Sequence, residues 1–189
     1  MSNPTAALHT PPWSDPTVVA RLALVAALAW HSRAWMGDPA LGPADGTGFL
    51  HGVSLGMHET GHLVFAPFGE TMGILGGSLL QILLPLVFVI AFVRQRAWYG
   101  AAIGAWWVAQ NVWDVAIYVA DARAEALPLV GGGEHDWAML LLRWDLLVSD
   151  VTIARALSNA AAVIAIVALG GAAAGARAPR LAVTEPAAG

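Results

Sequence analysis

Five apolar segments dominate the chain and constrain its fold more than any other feature. They cover about residues 17–36, 49–66, 70–93, 98–120 and 151–171. Each is long enough, at about 1.5 Å per residue in a helix, to cross the roughly 30 Å of hydrocarbon in a bilayer. The sequence therefore predicts an all-α, multi-pass membrane protein with about five transmembrane helices.

The composition supports a membrane location. Hydrophobic residues make up 58% of the chain and charged residues 12%, and the mean hydropathy is +0.64. Soluble domains carry about twice that share of charged residues, so membrane lipids are the expected surroundings. The formal charge of −4 gives no reason to expect nucleic acid as a partner. Because the chain has no cysteine, a metal would be bound through nitrogen and oxygen.

The polar stretches predict the organisation around these segments. A flexible lead, 1–16, precedes a single transmembrane domain, 17–171, and a disordered tail follows at 172–189. The longest connection, 121–150, contains a short amphipathic helix from Trp137 to Val148. Arginines in the short loops indicate the cytoplasmic side, and they are Arg94, Arg96, Arg177 and Arg180. An odd number of crossings then places the N-terminus on the opposite side.

The second segment contains the string His-Glu-Thr-Gly-His at residues 58–62. On a helix, His58 and His62 leave the same face one turn apart and can bind one tetrahedral metal ion. Glu59 has the position of the base that accepts a proton from water activated by zinc. The motif therefore predicts a Zn²⁺ site and hydrolytic chemistry.

Other polar side chains gather at the depth of this motif. Four of them follow steps of three and four residues along the fourth segment, and they are Asn111, Asp114, Tyr118 and Asp121. The connection on the same, non-cytoplasmic side adds Glu134, His135 and Asp136. Ionisable groups are costly inside a bilayer, so a cluster at one depth indicates a functional site.

A catalytic zinc ion needs a third protein ligand and one open position. We rank His135 first, because its glycine-rich connection can fold back over the site. Asp114 is second, since a transmembrane helix would hold it rigidly, and Asp136 is third. Tyr118 or Asn111 is expected to stabilise an oxyanion.

Small residues recur at intervals of four on two neighbouring segments. They are Gly48, Gly52 and Gly56 on the motif helix and Gly73 and Gly77 on the third segment. Such stripes let helices approach closely. Gln81 shares the face of Gly77 and is expected to point towards a substrate backbone.

The transmembrane string at 58–62 resembles the active-site helix of the site-2 protease family, intramembrane zinc metalloproteases that cleave peptide bonds within the membrane. The resemblance implies that His58 and His62 bind zinc and that Glu59 is the base. It also implies an aspartate ligand on a later transmembrane helix, for which Asp114 is the candidate. The family's aspartate stands in an Asn-Pro-Asp-Gly or Leu-Asp-Gly string, whereas Asp114 is followed by Val115.

The expected function is an intramembrane zinc-dependent hydrolase, and a peptidase in the first place. The same apparatus would suit a zinc-dependent hydrolase of lipid amides or esters. A different class is a non-catalytic transmembrane protein in which these residues bind or transport a metal. A structural membrane protein with a fortuitous motif is the third class.

Overall fold

A computed structural model of the protein describes residues 15–40, 49–128 and 133–177. These residues form helices and no strands, which confirms the all-α class. The helices are α1 (Pro16–Ser32), α2 (Phe49–Phe65), α3 (Glu70–Arg94), α4 (Trp98–Ala120), α5 (Asp136–Arg143) and α6 (Asp150–Gly175). Short 3-10 turns, Ala66–Phe68 and Leu147–Ser149, precede α3 and α6. Most of the predicted lead and tail, at 1–14 and 178–189, lies outside the described residues.

The ends of α1 and α6 differ from the predicted bounds. Asp15 caps α1 by accepting the Thr17 amide at 2.8 Å, with Pro16 at the first helical position, but the helix ends four residues earlier than predicted. In contrast, α6 continues to Gly175, into the predicted tail. It continues because its last turn is packed against the rest of the protein, with Gly175 close to the backbone of Tyr99.

Helix α4 lies at the centre of the fold. Its large side chains Trp106 and Trp113 are buried, and the indole of Trp113 donates to the carbonyl of Ser158 at 3.1 Å. On α6 the facing surface is a stripe of small buried residues, Ala161, Ala165, Ala168 and Ala172. Small residues at these intervals let α6 lie close to the tryptophans, so the polar residues of α4 face neighbouring helices.

Helices α2 and α3 approach closely at glycines. A methyl group on Gly61 would overlap the carbonyl of Gly76, and one on Gly76 would lie 2.5 Å from the Cβ of Phe65. The corresponding positions at Gly52 and Gly56 have no described atom within 4 Å. The close approach predicted for the glycine stripe therefore occurs at Gly61, inside the motif, and not at Gly52 and Gly56.

Replacing Gly61 with alanine is expected to lower the free energy of unfolding by about 1–3 kcal/mol, because the added methyl forces α2 away from α3. The matched control is Gly52→Ala, which adds the same methyl to the same helix where there is space. Thermal unfolding in detergent compares the two. Equal midpoints for both variants would contradict the close contact.

The direction of α1 differs from the prediction. The hydroxyl of Tyr99, at the start of α4, donates to the carbonyl of Arg21 at 3.0 Å. Further along both helices, His31 Nε2 lies 3.0 Å from Gln110 Oε1. Helix α1 thus runs parallel to α4, whereas strict alternation of crossings would make the two antiparallel. The predicted alternation was wrong for α1, because hydropathy locates a segment but does not give its direction.

Two helical stretches are long and apolar enough to cross a membrane, Glu70–Arg94 and Leu147–Gly175, with mean hydropathies of 2.4 and 1.9. Helix α1 is apolar but shorter. Helices α2 and α4 contain the histidine, asparagine and aspartate side chains of the predicted site, which lower their hydropathy. The described residues therefore support an association with the membrane through two helices.

Candidate metal centre

Three side chains form a group able to hold a metal ion, His58 and His62 from α2 and Asp136 from α5. Asp136 Oδ2 lies 2.8 Å from His58 Nε2 and 3.2 Å from His62 Nε2. In tetrahedral zinc sites with bonds of about 2.0–2.1 Å, neighbouring ligand atoms are separated by about 3.3 Å. The distance from Asp136 to His62 is close to that value and the distance to His58 is shorter. Two imidazole nitrogens with one carboxylate oxygen are a donor set that zinc accepts, and the three ligand atoms lie within 4.8 Å of one another.

The outer nitrogens of both imidazoles face oxygen acceptors. His62 Nδ1 lies 2.9 Å from the carbonyl of Gly73, and His58 Nδ1 lies 3.3 Å from Gln81 Oε1. With a metal bound, each Nδ1 would carry the proton and each Nε2 would direct its lone pair to the ion. Without a metal, the 2.8 Å contact between His58 Nε2 and Asp136 Oδ2 is a hydrogen bond and needs a proton between the two atoms. Three electron-pair donors meet at one point, an arrangement that a metal ion or a proton stabilises.

Gly77 on α3 makes room for the two imidazoles. A Cβ atom at this position would lie 2.7 Å from His58 Nε2 and 2.8 Å from His62 Nε2. Such distances are shorter than van der Waals contact, so any side chain here would displace both ligand nitrogens. The glycine that the sequence predicts for helix packing thus determines the shape of the centre.

Helix α5 carries Asp136 to the centre. Asp136 is the first residue of the helix, where the helix dipole favours a carboxylate. Its amide donates to the hydroxyl of Tyr118 at 3.1 Å, and the indole of Trp137 donates to Ser78 Oγ at 3.0 Å. These bonds attach the start of α5 to α4 and α3, and so fix the carboxylate opposite the histidines of α2.

His135, ranked first as the third ligand, lies outside the group. Its Nδ1 accepts the amide of Ala138 at 3.2 Å and caps α5, so the lone pair that a metal would need is already engaged. Its Nε2 lies 3.4 Å from Asp121 Oδ2 and has no hydrogen-bond partner among the described residues. Burial lowers the pKa of His135 below the usual value for histidine, an effect that Asp121 partly opposes.

Asp114 and Asn111 are also engaged elsewhere. The carboxylate of Asp114 accepts the amide nitrogen of Gln81 at 2.6 Å and lies 2.8 Å from His51 Nδ1. The buried side chain of Asn111 accepts the hydroxyl of Ser54 at 2.8 Å and donates to a carbonyl of its own helix. Asp114 therefore contacts Gln81 and His51 and lies outside the three-residue group, and Asn111 is buried between α2 and α4.

The two remaining predicted catalytic residues border the group. Glu59 is exposed on α2 next to His58 and interacts electrostatically with Tyr118. The ring of Tyr118 packs edge-on against that of His58, with centroids 5.7 Å apart. Since the Tyr118 hydroxyl accepts the amide of Asp136, its own proton is available for a ligand.

Replacing Asp136 with asparagine is expected to weaken zinc binding at least about tenfold, because a neutral amide oxygen is a poorer ligand than a carboxylate. Asp145→Asn is the control. It removes the same charge from an exposed residue two positions beyond the end of α5, in a left-handed conformation that asparagine tolerates. Competition with a chelating dye measures both affinities. Equal loss in the two variants, or none in Asp136→Asn, would contradict the assignment.

Comparisons with known proteins assign the chain to no family. No protein-family model, curated protein or solved structure matches the chain. The functional interpretation therefore depends on the residues of the centre and their geometry.

Proposed function

We propose that the protein is a multi-pass, intramembrane zinc-dependent hydrolase that cleaves peptide bonds in or next to the membrane. The observation that supports this proposal most strongly is the convergence of His58, His62 and Asp136, with Glu59 beside them in the motif. A structural role for the motif would not require the Nε2 atoms of two imidazoles to converge on one carboxylate oxygen.

Zinc, when bound, would polarise a substrate carbonyl and increase the acidity of water. His58, His62 and Asp136 would occupy three positions of a tetrahedral site and leave the fourth for water or substrate. Glu59 would accept the proton of the attacking water and deliver it to the leaving amine. Tyr118 would donate a hydrogen bond to the oxyanion that develops on the carbonyl.

A membrane location is supported by apolar side chains on the outer surface of two helices. On α3 and α6 these exposed residues are Val87, Phe88, Ile90, Val163, Ile166 and Val167. A surface of this kind suits contact with lipid. Helix α4 packs between α3 and α6 and would cross the membrane with them, its polar residues shielded from lipid by its neighbours.

The arginines supply the orientation that we propose. Arg94 is the last residue of α3, Arg96 lies in the turn between α3 and α4, and Arg177 follows α6. This end of the helices is opposite to the end where α5 covers the histidines. By the positive-inside rule, the arginine end is cytoplasmic and the metal centre lies towards the non-cytoplasmic side.

The surroundings of Glu59 favour a substrate that arrives through lipid. Glu59 is exposed, and Leu63 and Val64 on the next turn are exposed apolar residues, with 77% of Leu63 accessible. A peptide segment in the membrane would reach this face of α2 without passing through water. A lipid amide or ester would reach it by the same route, so both substrates need to be tested.

Purified protein in liposomes, mixed with transmembrane peptides of varied sequence, tests the proposal by mass spectrometry of both peptide and lipid products. We expect new peptide termini that disappear after chelation and return with zinc. Lipid products alone would identify a lipid hydrolase. Zinc uptake into the liposomes without either product would support the metal carrier. The absence of products and uptake would contradict any enzymatic or transport role.

A further inference from the structure

A continuous chain of hydrogen bonds leads from His58 away from the metal centre and across three helices. His58 Nδ1 on α2 lies 3.3 Å from Gln81 Oε1 on α3. Gln81 Nε2 donates to Asp114 Oδ2 on α4 at 2.6 Å. Asp114 Oδ1 lies 2.8 Å from His51 Nδ1, back on α2. We call Gln81, Asp114 and His51 the positioning chain.

The chemistry of Asp114 fixes the orientation of every group in the positioning chain. A carboxylate only accepts hydrogen bonds, so the amide nitrogen of Gln81 must face it. The amide oxygen of Gln81 then faces His58, whose Nδ1 must donate. In a neutral, metal-bound imidazole this leaves the lone pair of His58 on Nε2, the atom directed towards Asp136.

The two ligand histidines are held by different means. His62 donates to the backbone carbonyl of Gly73, which no substitution of a side chain removes. His58 depends on side chains, and Gln81 is 2% exposed, so water cannot readily take its place. The short bond between Gln81 and the charged Asp114 is of the stronger, charge-assisted kind.

We infer that Gln81 and Asp114 are positioning residues, which hold His58 in the tautomer and ring orientation that bind a metal. Asp114 thus acts two hydrogen bonds away from the metal and is not a ligand. The inference concerns the site of the proposed hydrolase and rests on that function for its biological meaning. Outer partners of metal-binding histidines commonly contribute about 10- to 100-fold to metal affinity, and a loss of that size is expected when the positioning chain is broken.

Gln81→Met breaks the positioning chain while keeping a side chain of similar length. We expect zinc still to bind at one ion per chain, with an affinity about 10- to 100-fold lower in competition with a chelating dye. Ser54→Ala is the matched control, since it removes a buried hydrogen bond outside the positioning chain, the one between Ser54 on α2 and Asn111 on α4. The expected loss of zinc affinity is about 10- to 100-fold. If the affinity of Gln81→Met stayed within about twofold of wild type, the inference would be overturned.

A charge exchange separates positioning from packing. Gln81→Glu alone apposes two carboxylates and should weaken zinc binding. Adding Asp114→Asn restores every hydrogen bond. The new amide nitrogen at position 114 donates to the new carboxylate at position 81, which also accepts from His58, and the new amide oxygen accepts from His51. The double variant should therefore bind zinc more tightly than Gln81→Glu. Binding no tighter than that of the single variant would contradict the proposed order of donors and acceptors.

The tautomer of His58 in metal-free protein gives a readout that needs neither zinc nor activity. It is measured in an Asp136→Ala background, because the Asp136 carboxylate is a competing acceptor 2.8 Å from His58 Nε2. Imidazole nitrogen chemical shifts should show the proton of His58 on Nδ1 in Asp136→Ala and a mixture of tautomers when Gln81→Met is added. The same distribution in both proteins would refute the positioning role. If Asp136→Ala showed the expected tautomer but wild type bound no zinc, the proposed function would be contradicted and the positioning role would not.

Discussion

Replacing Glu59 with glutamine is expected to slow hydrolysis by about 100- to 10 000-fold while leaving zinc bound. Glutamine keeps the size of the side chain but cannot accept a proton from the attacking water. Because Glu59 is exposed and is not one of the three converging ligands, the metal centre should keep its shape. Liposome cleavage rates and zinc content, measured on the same preparation, check both parts of this expectation.

Glu134→Gln is the control for this experiment, because it neutralises an exposed carboxylate on the same side of the protein without touching the histidines. Its cleavage rate should match that of wild type. If Glu59→Gln cleaved peptides at the wild-type rate, Glu59 would not be the base. If it lost zinc as well as activity, its role would be in metal binding.

Replacing Gly77 with alanine is expected to lower zinc affinity at least about 100-fold, a larger loss than breaking an outer hydrogen bond. The new methyl would lie 2.7 Å from His58 Nε2 and 2.8 Å from His62 Nε2, so both ligand atoms must move. Zinc sites require ligand distances within about 0.2 Å of their usual values, so even a small displacement matters. Chelator competition measures the loss.

Gly56→Ala provides the comparison, since it lies on the motif helix half a turn before His58 with no described atom within 4 Å of the new methyl. That variant should bind zinc as wild type does. Normal zinc affinity in Gly77→Ala would mean that α3 does not pass behind the two imidazoles. Weakened binding in both variants would point to a general effect on the fold.

The helical class and most helix positions could be predicted from the sequence because long apolar runs leave few alternatives. The segments predicted at 70–93 and 98–120 correspond closely to α3 and α4. The direction of α1 could not be predicted in the same way. It depends on contacts distant in sequence, such as the bond between Tyr99 and the carbonyl of Arg21.

The pairing of the two histidines in the candidate site could be predicted from their spacing in the sequence. Residues four apart on a helix share a face, and this alone brings His58 and His62 together. The residue that joins His58 and His62 from the start of α5 was harder to predict, because His135 and Asp136 are adjacent and only one of them can face the two histidines. The choice depends on which of them caps the helix, and that is decided by His135 accepting the amide of Ala138.

The roles of Gln81 and Asp114 required the tertiary structure. A signal was nevertheless present, since a buried glutamine in an apolar helix needs polar partners. The sequence offered several partners at a similar depth, and spacing did not distinguish a metal ligand from a residue that orients one. In the structure Asp114 contacts Gln81 and His51, and on these contacts we propose that it orients a ligand.

Zinc content is the most direct test of the central claim that His58, His62 and Asp136 form a metal centre. Elemental mass spectrometry would be applied to protein purified in detergent without chelator, with wild type beside His62→Ala and His135→Ala. We expect one zinc ion per chain in wild type and in folded His135→Ala, and none in His62→Ala. No stoichiometric metal in wild type, or full zinc content in His62→Ala, would contradict the metal centre.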